Sequence, residues 1–68
     1  MSYYREKKLV SKEISTIMER KQNFNINALQ IELGKRYEIS DRFITKLLER
    51  YEKNSEDILI ENDEVKFI

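Results

Sequence analysis

The residues with the most distinctive chemistry lie between positions 41 and 53. Polar side chains recur there at spacings that put them on one side of a helix: Arg42, Thr45, Lys46, Glu49 and Arg50. Arginine and lysine can donate to guanine O6 and N7, threonine can contact a thymine methyl group, and a carboxylate can accept from cytosine N4. The same pattern is also typical of a solvated helix face, in which Glu49 simply neutralises Lys46 or Lys53.

An apolar stripe in the same segment must position these side chains. Its members recur at three- and four-residue steps, which is the period of an amphipathic helix: Phe43, Ile44, Leu47, Leu48 and Tyr51. Ser40 is a favourable N-cap, and Asp41 suits the positive end of the helix dipole. We therefore predict a helix over residues 41–53, preceded by a turn at residues 38–40.

The residues before this turn predict a short strand and a second helix. Phe24 and Ile26 alternate with asparagines, which indicates an extended segment at residues 24–26. Asn27 is the expected N-cap of the second helix, with Gln30 three residues later, and the helix should end near Tyr37. Gly34 costs a helix interior about 1 kcal/mol relative to alanine, so we expect another helix backbone to approach it closely.

The first segment, residues 2–21, contains no helix breaker. Leu9 or Val10 begins an apolar stripe that continues at helical spacing through Ile14, Ile17 and Met18. Tyr3 and Tyr4 precede this stripe in a charged run. They are either part of a frayed helix start or, with Leu9, the surface of a homodimer.

The end of the chain, residues 57–68, predicts a β-hairpin. Asn62 and Asp63 both tolerate positive φ and fit a two-residue turn. That turn sets the register and collects one apolar face: Ile58, Ile60, Val65 and Phe67. The other face carries Leu59, Glu61, Glu64 and Lys66. An isolated hairpin is marginal in water, so its apolar face should pack on the helices, with residues 24–26 as a third strand.

The turn region has a recognisable pattern. Leu33-Gly34-Lys35-Arg36-Tyr37-Glu38-Ile39-Ser40 resembles the turn of the winged helix-turn-helix DNA-binding family, with Gly34 at its small position, Ile39 at its β-branched position and Ser40 at its cap. Glu38 replaces the usual glycine. The element order resembles the same family over nearly the whole chain, and the length is similar to that of small regulators carried by archaea and their viruses. The expected fold is α+β: three helices, a short strand and a C-terminal hairpin wing.

The resemblance implies sequence-specific binding of double-stranded DNA and a role in transcription regulation. The helix over residues 41–53 would lie in the major groove and contact bases and phosphates through the polar set Arg42, Thr45, Lys46, Glu49 and Arg50. Further contacts to the phosphate backbone would come from Gln30, Lys35 and Arg36, and from Lys7, Lys8 and Lys12 unless these lysines only aid solubility. The alternative is a protein-interaction module that uses the acidic wing or the first helix.

Charge is unevenly distributed along a chain that is neutral overall. Residues 1–53 hold twelve of the thirteen basic residues, whereas residues 54–68 hold one basic and five acidic residues. A polyanion should therefore meet the first part of the chain. The wing tip carries Glu61, Asp63 and Glu64, so we expect it to stand off DNA.

Catalysis and metal binding lack their usual residues. The chain has no histidine, no cysteine and a single glycine. That composition excludes Ser–His and Cys–His pairs, zinc sites that use those ligands, and glycine-rich phosphate loops. The carboxylates near the wing tip lack the spacing and the glycine of a calcium loop. We expect neither an enzyme nor a bound cofactor or metal.

Length and hydropathy predict the number of domains and the cellular location. The 68 residues predict one domain that spans positions 1–68. No apolar run approaches the roughly 18 residues of a membrane span, and the first residues lead into charge instead of an apolar signal segment. We therefore expect a cytoplasmic protein with no membrane contact.

Overall fold

The computed structural model describes residues 2–68, with side chains from residue 5 onward. It contains three helices and three short strands, which makes the fold α+β as predicted. The helices are α1 (Ser2–Glu19), α2 (Ile26–Arg36) and α3 (Asp41–Lys53). The strands are β1 (Phe24–Asn25), β2 (Ile58–Glu61) and β3 (Glu64–Phe67). Within this part of the chain, no helix is both long and apolar enough to cross a membrane.

Every helix contributes to one hydrophobic core. The α1 stripe begins at Val10 and not at Leu9, because Val10 is fully buried whereas Leu9 is 38% exposed. Leu33 from α2 and Ile44 and Leu48 from α3 are also fully buried, as is Val65 from the sheet. The remaining members of the core are Ile14, Met18, Ile26 and Leu29. These contacts hold α3 by its apolar side and leave the opposite side in solvent.

The predicted hairpin register is confirmed at all four pairs. Strand β2 pairs with β3 through Ile58–Phe67, Leu59–Lys66, Ile60–Val65 and Glu61–Glu64. Asn62 and Asp63 have φ of 51° and 60°, as a two-residue turn of this type requires. Strand β1 joins β3 on its other edge, so the order is β1-β3-β2 and β3 is central. The third strand predicted near residue 24 is therefore present.

The start of α2 differs from the sequence prediction. Asn25, and not Asn27, is the N-cap: its side chain accepts a hydrogen bond from the Ala28 backbone N–H at 2.9 Å. Ile26 belongs to the helix and not to the strand, because its side chain is needed in the core, where it is 6% exposed. Its backbone N–H donates to the Asp63 carbonyl at 2.7 Å, which ties the start of α2 to the hairpin turn.

The expected close approach at Gly34 is wrong. A Cβ built on Gly34 would meet no atom within 4 Å, and the residue is exposed. Packing between α2 and its neighbours instead runs through the buried side of the helix, at Leu29 and Leu33. The glycine therefore serves no helix–helix contact within the described chain.

Helices α1 and α3 lie side by side. Near the start of both, Lys7 Nζ lies 5.6 Å from the centroid of the Phe43 ring. Near the end of both, Met18 and Tyr51 line the same open cleft. The two helices therefore run in the same general direction.

Candidate nucleic-acid interface

Local hydrogen bonds fix where α3 begins. Ser40 is the N-cap as predicted, with extended backbone angles and a side-chain oxygen that accepts from the Phe43 N–H at 3.2 Å. Asp41 occupies the first turn, where a negative charge is favourable. Ile44 and Leu48 then anchor the helix in the core, both at 0% exposure. Because these anchors fix the rotation of α3, the polar residues opposite them must face solvent.

A row of unpaired cations runs along the exposed side of α3. We call it the α3 cation stripe, and its members are Arg42, Lys46, Arg50 and Lys53. Among residues whose side chains the structure describes, the ion pairs are Arg36–Glu13 and Lys66–Glu61, so no member of the stripe is neutralised. Glu49 is exposed and pairs with neither Lys46 nor Lys53. The stripe extends about 17 Å along the helix axis.

A shallow groove accompanies the stripe. Its volume is about 440 Å³, and it is lined by Phe43, Lys46, Leu47, Glu49 and Arg50. Phe43 and Leu47 are half-buried, so apolar surface lies beside the two cations. Such a surface can contact both a charged backbone and apolar parts of a ligand.

Gln30 and Thr45 contact each other between α2 and α3. Gln30 Nε2 donates to Thr45 Oγ1 at 2.9 Å and lies 3.3 Å from the Asp41 carbonyl oxygen. The Thr45 hydroxyl keeps its own proton and can still donate to a ligand. Gln30, expected to touch the phosphate backbone, has its amide N–H groups directed at α3 in this structure.

Lys35 and Arg36 lie at the end of α2, in different surroundings. Lys35 is exposed and makes no ion pair with a described residue. Arg36 Nη2 lies 3.1 Å from Glu13 Oε1, and its side chain is 50% exposed. The positive charge of Arg36 is therefore partly balanced by α1, whereas that of Lys35 is available.

Two carboxylates of α1 accept hydrogen bonds from the turn before α3. The sequence did not predict these contacts. The Tyr37 hydroxyl donates to the Glu13 carboxylate, and the Glu38 backbone N–H donates to Glu6 Oε1 at 3.1 Å. The hydrogen bond to Glu13 raises the pKa of Tyr37 above its ordinary value, and partial desolvation and the negative charge of Glu13 act in the same direction. No local pattern predicts these contacts, because 24 and 32 residues separate the partners.

The hairpin places negative charge beside α3. Glu52 Oε2, on α3, accepts from the Ile60 backbone N–H at 2.8 Å and fixes β2 against the helix. At the hairpin tip, residues 61–64, Glu61 pairs with Lys66 at 3.2 Å. Asp63 and Glu64 are exposed and make no ion pair with a described residue. The hairpin that packs on α3 through Glu52 therefore carries exposed negative charge at its tip.

Several predicted surface residues lie outside any assembled site. Leu9 is on the solvent side of α1, and the side chains of Tyr3 and Tyr4 lie outside the described residues. Leu59 and Ile31 are exposed singly, at 39% and 55%. Within the described chain, no group of three or more acidic residues is arranged to hold a metal ion.

Comparison with known proteins assigns the chain to no family. No protein-family model, curated protein sequence or solved structure matches the chain. The functional argument therefore rests on the charges, the hydrogen bonds and the packing described above.

Proposed function

We propose that the chain is a winged helix-turn-helix domain that binds double-stranded DNA as a transcriptional regulator, with α3 as its recognition helix. The observation that carries this proposal is the α3 cation stripe, whose members are unpaired and face solvent. Unpaired cations in a row are what a phosphate backbone requires, because binding neutralises phosphates and releases condensed counterions. Glu49 is spaced to pair with Lys46 or Lys53 but forms no ion pair with either, so the charge of the stripe stays available.

The element order supports the winged-helix assignment. Helices α2 and α3 are joined by a short turn at residues 37–40, and the hairpin β2–β3 follows α3 directly. The bond from Gln30 to Thr45 ties the two helices together, and the bond from the Ile60 N–H to Glu52 holds the hairpin beside them. A recognition helix supported on both flanks can enter a groove without losing its orientation.

The dimensions of α3 fit the major groove. Its 13 residues span about 20 Å, and a major groove about 12 Å wide admits an α-helix. In this arrangement Lys46, Arg50 and Thr45 face base edges. Arg42 and Lys53, at the two ends of the helix, face the phosphates on either side, and Lys35 adds a phosphate contact from α2. Glu49 accepts from a cytosine amino group.

A salt titration tests the proposal. Fluorescence anisotropy with a mixed-sequence duplex should give an affinity whose logarithm falls with log salt at a slope of about −3.6, if each protomer neutralises about four phosphates. Lys46→Ala and Arg50→Ala should each weaken binding. Arg20→Ala, which removes an exposed cation from the turn that follows α1, should not. Absence of binding at 50 mM salt, or an affinity that does not depend on salt, would refute the proposal.

Homodimerisation through α1 belongs to the same proposal. Two copies would present recognition helices to half-sites about 34 Å apart, and a dimer would bury additional surface in a small domain. Leu9, at 38% exposure, is the described residue expected in this contact. Light scattering at micromolar concentration should give twice the mass of 8.3 kDa. A monomeric mass both in solution and in complex with DNA would exclude homodimerisation.

The second candidate is a protein-interaction module, favoured by the free carboxylates of Asp63 and Glu64 and the exposed Leu59 beside them. Such a module would bind a basic partner through the hairpin and would have no affinity for a duplex. Selection from a pool of random duplexes separates the candidates, because only the DNA-binding protein enriches a sequence.

A further inference from the structure

The two flanks of α3 differ in charge, and this difference bears on how a duplex would lie against the protein. Towards the hairpin, α3 presents Glu52, which is bonded to β2. The carboxylates of Asp63 and Glu64 are exposed at the tip of the same hairpin and make no ion pair with a described residue. Towards α1, it presents Phe43, with Lys7 Nζ 5.6 Å from the ring centroid. A phosphate strand is repelled on the first flank and attracted on the second.

The solvent side of α1 is basic from Arg5 to Lys12 because the acidic residues near this part of the helix are directed elsewhere, whereas Glu19 is exposed at the far end. Glu6 and Glu13 accept hydrogen bonds from the turn before α3. The exposed charged residues of α1 between positions 5 and 12 are Arg5, Lys8 and Lys12, spaced three and four residues apart. All three are exposed, and none makes an ion pair with a described residue.

Helices α1 and α3 lie next to each other in the fold. The helices adjoin near their starts at Lys7 and Phe43 and near their ends at Met18 and Tyr51. Both bury their opposite sides in the same core, through Val10 and Ile14 on α1 and Ile44 and Leu48 on α3. Phe43 lines the groove beside the α3 cation stripe, so Lys7 places a cation of α1 at the edge of that groove.

We infer that α1, and not the hairpin, provides the second phosphate contact of this protein. The inference rests on the proposed DNA binding. A duplex that receives α3 in its major groove lies with one backbone strand over Lys8 and Lys12, and the hairpin tip points away from it. The contacts of Glu6 and Glu13 with the turn keep α1 and α3 as one rigid surface, so both helices meet the duplex together.

Charge removal tests this arrangement with matched controls on the full chain. The double variant Lys8→Gln/Lys12→Gln should make the salt slope less negative by about 1.8 and weaken binding at 50 mM salt by about tenfold for each lysine. Arg20→Gln removes a cation from just beyond the far end of the same helix, and Lys66→Gln removes one from the hairpin. Neither should change the slope. All four residues are partly or fully exposed, so circular dichroism should be unchanged.

Directed cleavage provides a second readout. The chain has no cysteine, so one introduced cysteine gives a unique attachment point for an iron chelate that cuts nearby DNA backbone. Thr16→Cys, one turn beyond Lys12, should direct cleavage to one edge of the bound site. Glu64→Cys, at the hairpin tip, should cleave weakly or not at all.

The outcomes separate this inference from the proposed function. If the unsubstituted chain and Arg20→Gln bind duplex with the same slope, and Lys46→Gln weakens binding, the proposed function stands. If the α1 double variant then keeps the full slope, or Glu64→Cys cleaves more strongly than Thr16→Cys, the α1 contact is refuted. If no duplex binds at 50 mM salt, the proposed function fails and the α1 contact fails with it.

Discussion

Gln30 Nε2 donates to Thr45 Oγ1 at 2.9 Å, and this bond joins α2 to the exposed part of α3. The bond is partly buried, so its loss leaves two polar groups that water satisfies incompletely. Gln30 therefore acts on the interface through Thr45, by fixing the direction in which the threonine hydroxyl can donate.

Removing this bond should lower stability, and the effects of substitutions at Gln30 and Thr45 should be energetically coupled. We expect Gln30→Ala and Thr45→Val each to lower the free energy of unfolding by about 1 kcal/mol, and the double variant to lose less than the sum. Urea denaturation measures all three. Gln22→Ala, at an exposed glutamine without a hydrogen bond to a described residue, is the control and should be neutral. Strict additivity would show that the two side chains do not interact.

The cap of α2 gives a comparison between two asparagines two residues apart. Asn25 accepts from the Ala28 N–H at 2.9 Å, whereas Asn27 is exposed within the helix. We expect Asn25→Ala to lower the free energy of unfolding by about 1 kcal/mol, because the helix loses its N-cap. Asn27→Ala should be neutral or slightly stabilising, because alanine is the better helix former. Equal losses at both positions would contradict this assignment.

These asparagines also show why the sequence predicted some boundaries and not others. Asn25 and Asn27 have similar local signals, and the choice between them is made by distant residues: Asn25 pairs with Glu64 in the sheet, and Ile26 must reach the core. The hairpin register, by contrast, was predictable at every pair, because the turn residues and the alternation of apolar residues are both local.

In the candidate interface, too, the features set by local sequence were predictable and those set by distant residues were not. The apolar period of residues 41–53 was sufficient to predict that Ile44 and Leu48 are buried and that the charged residues of the polar set are exposed. Thr45, predicted with that set, is instead half-buried against Gln30. The roles of Glu6 and Glu13 could not be predicted, because both look like ordinary charged helix residues until the turn folds against them. Whether the exposed set binds DNA stays a prediction.

Substituting Gly34 should change stability without changing the contacts between α2 and its neighbours. The glycine has no positive φ, and an added Cβ would meet no atom within 4 Å. Gly34→Ala should therefore raise the free energy of unfolding by about 0.5–1 kcal/mol, because alanine loses less backbone entropy in a helix. Thermal unfolding followed by circular dichroism measures the shift. Destabilisation would instead support the close approach that the sequence predicted.

The bond between Tyr37 and Glu13 should make stability depend on pH in the alkaline range. The pKa of Tyr37 is raised mainly because its hydroxyl donates to the Glu13 carboxylate, an interaction that ionisation removes. A raised pKa in the folded state means that the contribution to stability is complete below the ordinary tyrosine pKa of about 10 and is lost as pH rises through the folded-state value. Lysines titrate in the same pH range. The effect of Tyr37 is therefore measured as the difference between two variants that contain the same lysines.

Tyr37→Phe supplies that comparison. The difference in unfolding free energy between the unsubstituted chain and Tyr37→Phe should be constant at neutral and mildly alkaline pH and should shrink above about pH 10. Tyr51→Phe, at a half-buried tyrosine with no such carboxylate contact, is the matched control. A difference that grows with pH would mean that the pKa of Tyr37 is lowered and not raised.

Neutralising the hairpin tip should strengthen DNA binding. Asp63 and Glu64 make no ion pair with a described residue, so their full charge acts on a nearby polyanion. Asp63→Asn suits the positive φ of 60° at that position, and combining it with Glu64→Gln removes two charges without changing the turn. If the tip stands off the duplex, as we propose, the gain in affinity acts through long-range electrostatics, and affinity should rise several-fold at 50 mM salt and little at 200 mM.

The control for this double variant is Glu19→Gln, which removes one carboxylate from the far end of α1 and should have a smaller effect at both salt concentrations. A gain that persists at 200 mM salt would mean that the tip contacts the duplex directly. If affinity instead falls, then Asp63 or Glu64 contributes a favourable contact, and the hairpin takes part in recognition after all.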